Sequence, residues 1–402
     1  MRLLFLAPSR IARGDAALAA DLARRLPRSQ LRVGFVAAPE ALPQLRDLGM
    51  PALPLTGSTP AANLAILDRI VRGFQPDCLV AADAFAVHQS RAWSGLTIGF
   101  LRERYGCPVG SLDRLGWPAT GYTVDCYGGH RVQFPPLLDE CDLLIRTGPP
   151  HPPEPGPPGV AVTALHPGGL HDGGLRPPAA VEKPGDRRPV VFLVSSAWEH
   201  RNPFRSVPAA QLIDALPGIV HSHLAALRRP LRVVHVGPRR WRFRTAEQID
   251  YQHFRRLPYP MFHARLAAAD LFLTTNLLSA TLARAVLAGV PALVLENDRE
   301  LAQPAAPDWL VATAPRLRTA YPFRVAPLGW HDLLAPLLAD NPYRDCFATA
   351  GILDRTEVVR QLTGLLDDPP TRAGVRQRQF DYRARLSELG SPVDAIRAAV
   401  SR

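Results

Sequence analysis

At 402 residues, with 47% hydrophobic and 21% charged residues, the chain has an ordinary globular composition and is long enough for two cores. No apolar run approaches the roughly 20 residues of a membrane span, and the apolar part of MRLLFLAPSRIARG is too short for a secretory leader, so a cytoplasmic protein is expected. The net charge of +11 raises nucleic acid or a membrane surface as partners, but Lys183 is the only lysine and the arginines are spread along the chain, which suits an anionic small substrate instead.

Met1–Pro8 reads as a first buried strand, Arg10–Asp15 as a loop, and Ala16–Leu26 as a helix with Leu18, Leu22 and Leu26 along one face. Leu31–Ala37 is a strand, Pro39–Leu48 a helix, Pro51–Leu55 a short strand, Ala61–Phe74 a helix and Asp77–Ala81 a strand. Cys107–Leu112 and Leu143–Ile145 follow as later strands. This alternation predicts a parallel sheet wound on both faces, so residues 1–175 are predicted to form one Rossmann-like domain. Gly116–Pro136 has no period and is predicted as a long ordered loop carrying Trp117, Tyr122 and Tyr127. Gly148–Pro184 is rich in Pro and Gly, and its PPHPPEPGPPG segment suits neither a helix nor a central strand. It is predicted as a surface loop leading into a linker over 176–188.

A second alternation begins at Pro189 and extends the prediction of a second Rossmann-like domain over 189–402. Val190–Val194 is a strand ending in Ser195 and Ser196, Pro208–Leu227 a helix interrupted near Pro217, and Leu231–Val236 a strand ending at Gly237. Pro307–Phe323 has no clear period, Arg355–Leu366 is helical, and Pro370–Val400 is helical with Pro392 starting the last helix. The five cysteines contain no C-x-x-C pair, and an odd count argues for reduced thiols.

The most informative stretch is Leu257–Asn297. Met261–Ala269 is helical, Leu271–Leu273 is a buried strand, and Thr274, Thr275 and Asn276 form a polar turn. Ser279 and Thr281 open an Ala/Leu-rich helix that stops at Gly289, followed by the strand Ala292–Leu295 and the polar tip Glu296–Asn297. A helix N-terminus at the end of a parallel strand is ready to take a phosphate. Asp270 and Leu271, then Thr281, Ala285, Ala288, Gly289, Val290 and Pro291, fall on a pattern that resembles the donor half of GT-B glycosyltransferases. Two departures stand out: the family acid that holds the ribose falls on Arg284, and the Gly-rich turn is replaced by Asn276-Leu277-Leu278.

The resemblance implies two Rossmann-like domains facing a cleft, with a nucleotide sugar as co-substrate, no other cofactor and a small-molecule acceptor of the kind made in specialised metabolism. It places a base on the loop after the first strand, where Asp15 is the available acid; the same residue also reads as an N-cap of the next helix. Asp83 and His88, after the Asp77–Ala81 strand, are further catalytic candidates at the carboxyl end of the sheet. Asp113 and Arg114 stand at an equivalent place, and Asp125–His130 is favoured as an acceptor loop. The donor set is Ser195, Ser196, Gly237, Asn276, Ser279, Ala280, Thr281, Arg284, Glu296 and Asn297, with Trp198, Glu199, His200 and Arg201 beside it. Arg284 is expected to meet a negative group of the ligand. No metal site is predicted, since the chain has no H-E-x-x-H and no suitably placed D-x-D. The leading function is direct displacement by a nucleotide-sugar transferase; a nucleotide-sugar epimerase of the same fold and a non-catalytic binding protein are the alternatives.

Overall fold

Strand β1 (Arg2–Ala7) reads RLLFLA and buries every residue after the first. Such an unbroken apolar run requires cover on both faces of the sheet. The computed structural model describes residues 1–11, 13–27, 29–157, 160–164, 188–201, 206–243 and 246–401, apart from the side chains of Arg13, Arg201 and Ala395. The first half continues with α1 (Arg13–Arg25), β2 (Arg32–Ala37), α2 (Leu42–Asp47), β3 (Ala52–Pro54), α3 (Pro60–Phe74) and β4 (Cys78–Ala81). Then come α4 (Ala84–Ser94), α5 (Ile98–Tyr105), β5 (Val109–Leu112), the pair β6 (Thr123–Cys126) and β7 (His130–Gln133), β8 (Leu143–Gly148) and β9 (Val160–Ala164). The seven-stranded sheet runs β3-β2-β1-β4-β5-β8-β9, and each neighbouring pair is parallel.

The second half has β10 (Val190–Val194), α6 (Ala197–Arg201), α7 (Val207–Ala226), β11 (Leu231–Val236), β12 (Ile249–Phe254), α8 (Tyr259–Ala267), β13 (Leu271–Thr274), α9 (Ala280–Leu287) and β14 (Ala292–Glu296). A short antiparallel pair, β15 (Leu301–Ala302) and β16 (Thr319–Ala320), brackets α10 (Asp308–Thr313). The chain ends with α11 (His331–Leu338), β17 (Ala348–Gly351), α12 (Arg355–Asp367), α13 (Pro369–Ser387) and α14 (Pro392–Val400). This sheet runs β12-β11-β10-β13-β14-β17, again with parallel neighbours. The chain is therefore two Rossmann-like units. In each, the strand order reverses beside the first strand, at β1/β4 and at β10/β13, which is where an open α/β sheet leaves a crevice for ligands.

Several expectations change. The predicted long loop Gly116–Pro136 contains the β6–β7 hairpin, turned by Gly128 at φ 90° and Gly129 at φ 76°, conformations that glycine adopts without strain. Val160–Ala164, inside the predicted Pro/Gly loop, is a strand at the edge of the first sheet, where flanking prolines are tolerated. Helix α7 runs through Pro217 without interruption. Proline costs a helix interior about 3 kcal/mol, but Leu212, Ile213, Leu216, Ile219 and Val220 are all buried around it, each stabilising by about 1.5–3 kcal/mol. The predicted linker 176–188 lies outside the described residues except for its last position, as do His166 and His171. Helix α14 returns to the first unit, lying against β8 and β9 with Ile396 buried and Arg397 bonded to Gln30. Among the described residues no helix is long and apolar enough to cross a membrane.

Candidate active site

The carboxyl ends of both first strands open towards one cleft between the units. It has two chambers. The larger, of about 740 Å3, is lined by Asp15 and Arg114 from the first unit and by Ser195, Gly237 and the start of α9 from the second. The smaller, of about 240 Å3, is walled mainly by apolar groups, including Phe85, Leu115, Phe134, Leu328 and Trp330. Asp15, Arg114, Trp198, Asn276 and Leu278 line both, so they stand where the chambers meet.

Asp15 does not cap α1; it sits in the first turn of that helix, because the helix starts three residues earlier than its apolar pattern suggests. Its carboxylate is buried and pairs with Arg114 Nη1 at 3.2 Å. The other terminal nitrogen of Arg114 donates to the Leu278 carbonyl at 2.8 Å, so one guanidinium joins the acid to the turn before α9. Burial raises the Asp15 carboxyl above its usual range, against the pull of Arg114. Asp83 caps α4 through the Ala86 N–H at 3.0 Å, and burial followed by the neighbouring Asp15 charge pushes it up to about 7. The two acids therefore titrate as a pair. Asp83→Asn should keep the cap, since Asn caps as well as Asp. Removing a like charge favours the ionised form of its neighbour, so the Asp15 titration should move to lower pH. NMR titration of the Asp15 carboxyl in both proteins measures this, and an unmoved midpoint would show that the acids are not coupled.

On the second unit, Ser279 caps α9, its hydroxyl accepting from Thr281 N and Leu282 N at 3.2 and 3.4 Å. Ser279, Ala280 and Thr281 all line the larger chamber, so the helix start faces the cleft. An unfilled helix N-terminus carries a partial positive charge. Asn276 folds its own turn, accepting from Leu278 N at 2.9 Å. Ser196 lines the same chamber, and Gly237 faces Ser195 so closely that a Cβ there would collide with its Oγ.

Other candidates are placed elsewhere. His88 lies on α4 and lines neither chamber. Glu296 pairs with Arg324 at 3.3 Å, and Asn297 is buried with its amide on the Arg299 and Tyr321 carbonyls, so both face the 321–331 segment and not the cleft. Arg284 edges the larger chamber but is buried, and its negative partner is Asp21 of α1 at 2.7 Å, not an open space. Asp113 is a structural anchor, accepting from Gly116 N and from Arg146 Nε. The Asp125–His130 segment is a strut between units: the Asp125 carboxylate accepts from the N–H groups of His331, Asp332 and Leu333 at the start of α11. Trp198 reaches the cleft, whereas Glu199, pushed up to about 8 by burial, and His200 line a small cavity of about 20 Å3 behind Ser195. The side chain of Arg201 is outside the described residues. Sequence reasoning missed Phe85, Phe134, Leu328 and Trp330, which come from three separated segments with no shared period. Among the described residues, no group of three or more His, Cys, Asp or Glu side chains could hold a metal ion.

No curated protein matches the sequence. Among solved structures, the chain is similar to the spinosyn forosaminyltransferase SpnP, at 17% identity over the whole of both chains and a TM-score of 0.59. It is also similar to the glycosyltransferase VinC in complex with dTDP, at 16% identity over the whole of both chains and a TM-score of 0.52. A third similar structure is a putative UDP-N-acetylglucosamine 2-epimerase from Listeria monocytogenes, at 14% identity over 94% of this chain and 90% of that one, with a TM-score of 0.51. At such identities the likeness is one of fold, and the fold is GT-B. The model of the family described as "Family of unknown function (DUF6365)" matches residues 22–402, nearly the full length, and the chain belongs to that family.

Proposed function

We propose that the chain is a glycosyltransferase that moves a sugar from a nucleotide-sugar donor to an apolar, hydroxyl-bearing small molecule. The observation that carries this reading is the position of Asp15 on the wall shared by a chamber facing a helix N-terminus and a chamber walled by aromatic and aliphatic groups. The donor diphosphate occupies the larger chamber at the start of α9, and the acceptor occupies the smaller. Asp15 takes the proton of the acceptor hydroxyl, the hydroxyl oxygen attacks the anomeric carbon, and the bond from that carbon to the diphosphate oxygen breaks. The N–H groups at the start of α9 and the hydroxyls of Ser195 and Ser196 then meet the charge that develops on the leaving group. The glycosyltransferases of similar fold support this reading, and VinC was solved with dTDP.

Calorimetry against UDP-, dTDP- and GDP-sugars tests it, and a chain that binds none of them is not such a transferase. The similar epimerase keeps a second reading open. Incubating the bound donor without acceptor separates the two: an epimerase converts the donor alone, and a transferase leaves it intact or slowly hydrolyses it.

The start of α9 gives a sharper test. Ala280→Asp puts a carboxylate in the first turn, where the helix dipole favours it by about 0.3–1 kcal/mol. The melting temperature without ligand should hold. The stabilisation by a nucleoside diphosphate should vanish, because the carboxylate stands where a phosphate oxygen belongs. Thermal melting with and without UDP, dTDP and GDP reads both effects; undiminished stabilisation by a nucleotide would place the phosphate elsewhere.

A further inference from the structure

Behind Ser195 runs a chain of hydrogen bonds whose members touch neither the acceptor nor the reacting carbon in the displacement described above. Ser195 Oγ lies 2.8 Å from His235 Nε2, and His235 Nδ1 lies 2.6 Å from the Tyr251 hydroxyl. The Trp241 backbone N–H donates to that same hydroxyl at 3.2 Å. His235 is fully buried, and the ring of Trp241 lies 4.5 Å from it, centroid to centroid. Gly237 closes the other side of Ser195, leaving no room for a Cβ beside its Oγ.

We propose that Tyr251 and His235 form a positioning relay that fixes Ser195 as a hydrogen-bond donor into the cleft, aimed at the phosphate of a nucleotide ligand. The ligand identity rests on the function proposed above; the relay itself rests on the lengths of these bonds and on the one direction that is fixed, from the Trp241 N–H to the Tyr251 oxygen. The Tyr251 oxygen already accepts from Trp241. Among the described residues its own hydrogen has one acceptor, His235 Nδ1. A neutral imidazole whose Nδ1 accepts must carry its proton on Nε2. Burial keeps this ring neutral, pushing it down to about 3. Nε2–H then donates to Ser195 Oγ, and the serine hydrogen is left to turn towards the larger chamber, which Ser195 lines. In the opposite tautomer Nε2 would accept the serine hydrogen, and Ser195 would show an anion only lone pairs. The relay thus selects between a serine that attracts a phosphate and one that repels it.

Two measurements test the relay. In wild-type protein carrying 15N-labelled histidine, long-range 1H–15N spectra should show His235 protonated at Nε2 and bare at Nδ1, and Tyr251→Phe should lose this fixed form. Binding is then measured for inorganic pyrophosphate, for UDP, dTDP and GDP, and for the parent nucleosides. Ser195→Ala should weaken the diphosphates and pyrophosphate by roughly 10- to 100-fold, the range for a hydrogen bond to a charged group, and leave any nucleoside affinity unchanged. Tyr251→Phe should weaken the same anions in the same selective way, by a smaller factor. A wild-type ring protonated at Nδ1 overturns the relay. So do variants that lose nucleoside and diphosphate equally, since that pattern marks a merely structural role. Wild-type protein that binds neither pyrophosphate nor any nucleoside diphosphate overturns the relay and the proposed function together.

Discussion

Asp15→Asn is expected to reduce turnover by roughly 10²- to 10⁴-fold, the usual contribution of a positioned base, while nucleotide affinity stays close to wild type. Asparagine keeps the shape and the first-turn position but cannot take a proton. The structural reading of Asp15 predicts a different outcome. As a first-turn acid it favours α1 by about 0.3–1 kcal/mol through the helix dipole, and as the partner of Arg114 it neutralises a largely buried guanidinium. Losing both would lower stability without touching the rate of the folded protein. Single-turnover kinetics on folded protein, paired with calorimetry of the nucleotide, therefore separates the two roles. An Asn variant that turns over at the wild-type rate would leave Asp15 with its structural role alone. Because burial holds both acids high, and the Asp15 charge raises Asp83 further, the rate of the wild-type protein should rise with pH on the acid side as the pair loses its shared proton.

What the sequence could show depended on how local the cause was. The order from β13 through α9 to β14 was legible because each signal lies within a few residues: a buried apolar strand, a serine cap, and Gly289 at φ 72° behind the helix. The two-unit fold was legible for the same reason, since most strands of the two sheets, such as β1, β4, β10, β13 and β14, are short apolar runs that alternate with helices. The β6–β7 hairpin had a local signal too, Gly128-Gly129 between alternating residues, but the aromatic residues around it drew the reading towards an ordered loop. The apolar chamber was not legible. Phe85 follows β4, Phe134 follows the hairpin, and Trp330 belongs to the second unit, so only the folded chain brings them to one wall. The role of Asp125 was hidden in the same way: its three N–H partners begin more than 200 residues further on. Arg284 is the sharpest case, because its position in the family pattern pointed to a ligand, whereas its ionic partner is 263 residues away in the chain.

Arg284→Ala is expected to cost about 3–5 kcal/mol of stability, the range for removing one partner of a buried ion pair. The guanidinium is 6% exposed and the Asp21 carboxylate 1% exposed, so neither charge can fall back on water when the other is removed. The Tyr259 hydroxyl donates to the second oxygen of Asp21 at 2.6 Å, and the guanidinium carbon sits 5.6 Å from the centre of the Tyr259 ring. These three side chains join α1 of the first unit to α8 and α9 of the second. Arg284→Glu should be worse than Arg284→Ala, because it buries two like charges, and the urea midpoint orders the three proteins. Stability alone does not decide whether Arg284 also reads the ligand. Replacing the whole cluster does: Asp21→Leu, Tyr259→Phe and Arg284→Met together remove every charge and every hydroxyl that would lack a partner. Well-packed apolar replacements of buried ion pairs are often neutral or stabilising, so the triple variant should recover most of the lost stability. If Arg284 serves only the junction, that variant should bind nucleoside diphosphates as wild type does. A stable triple variant that binds them markedly more weakly would instead assign Arg284 to the ligand, in the place where the related fold carries an acid.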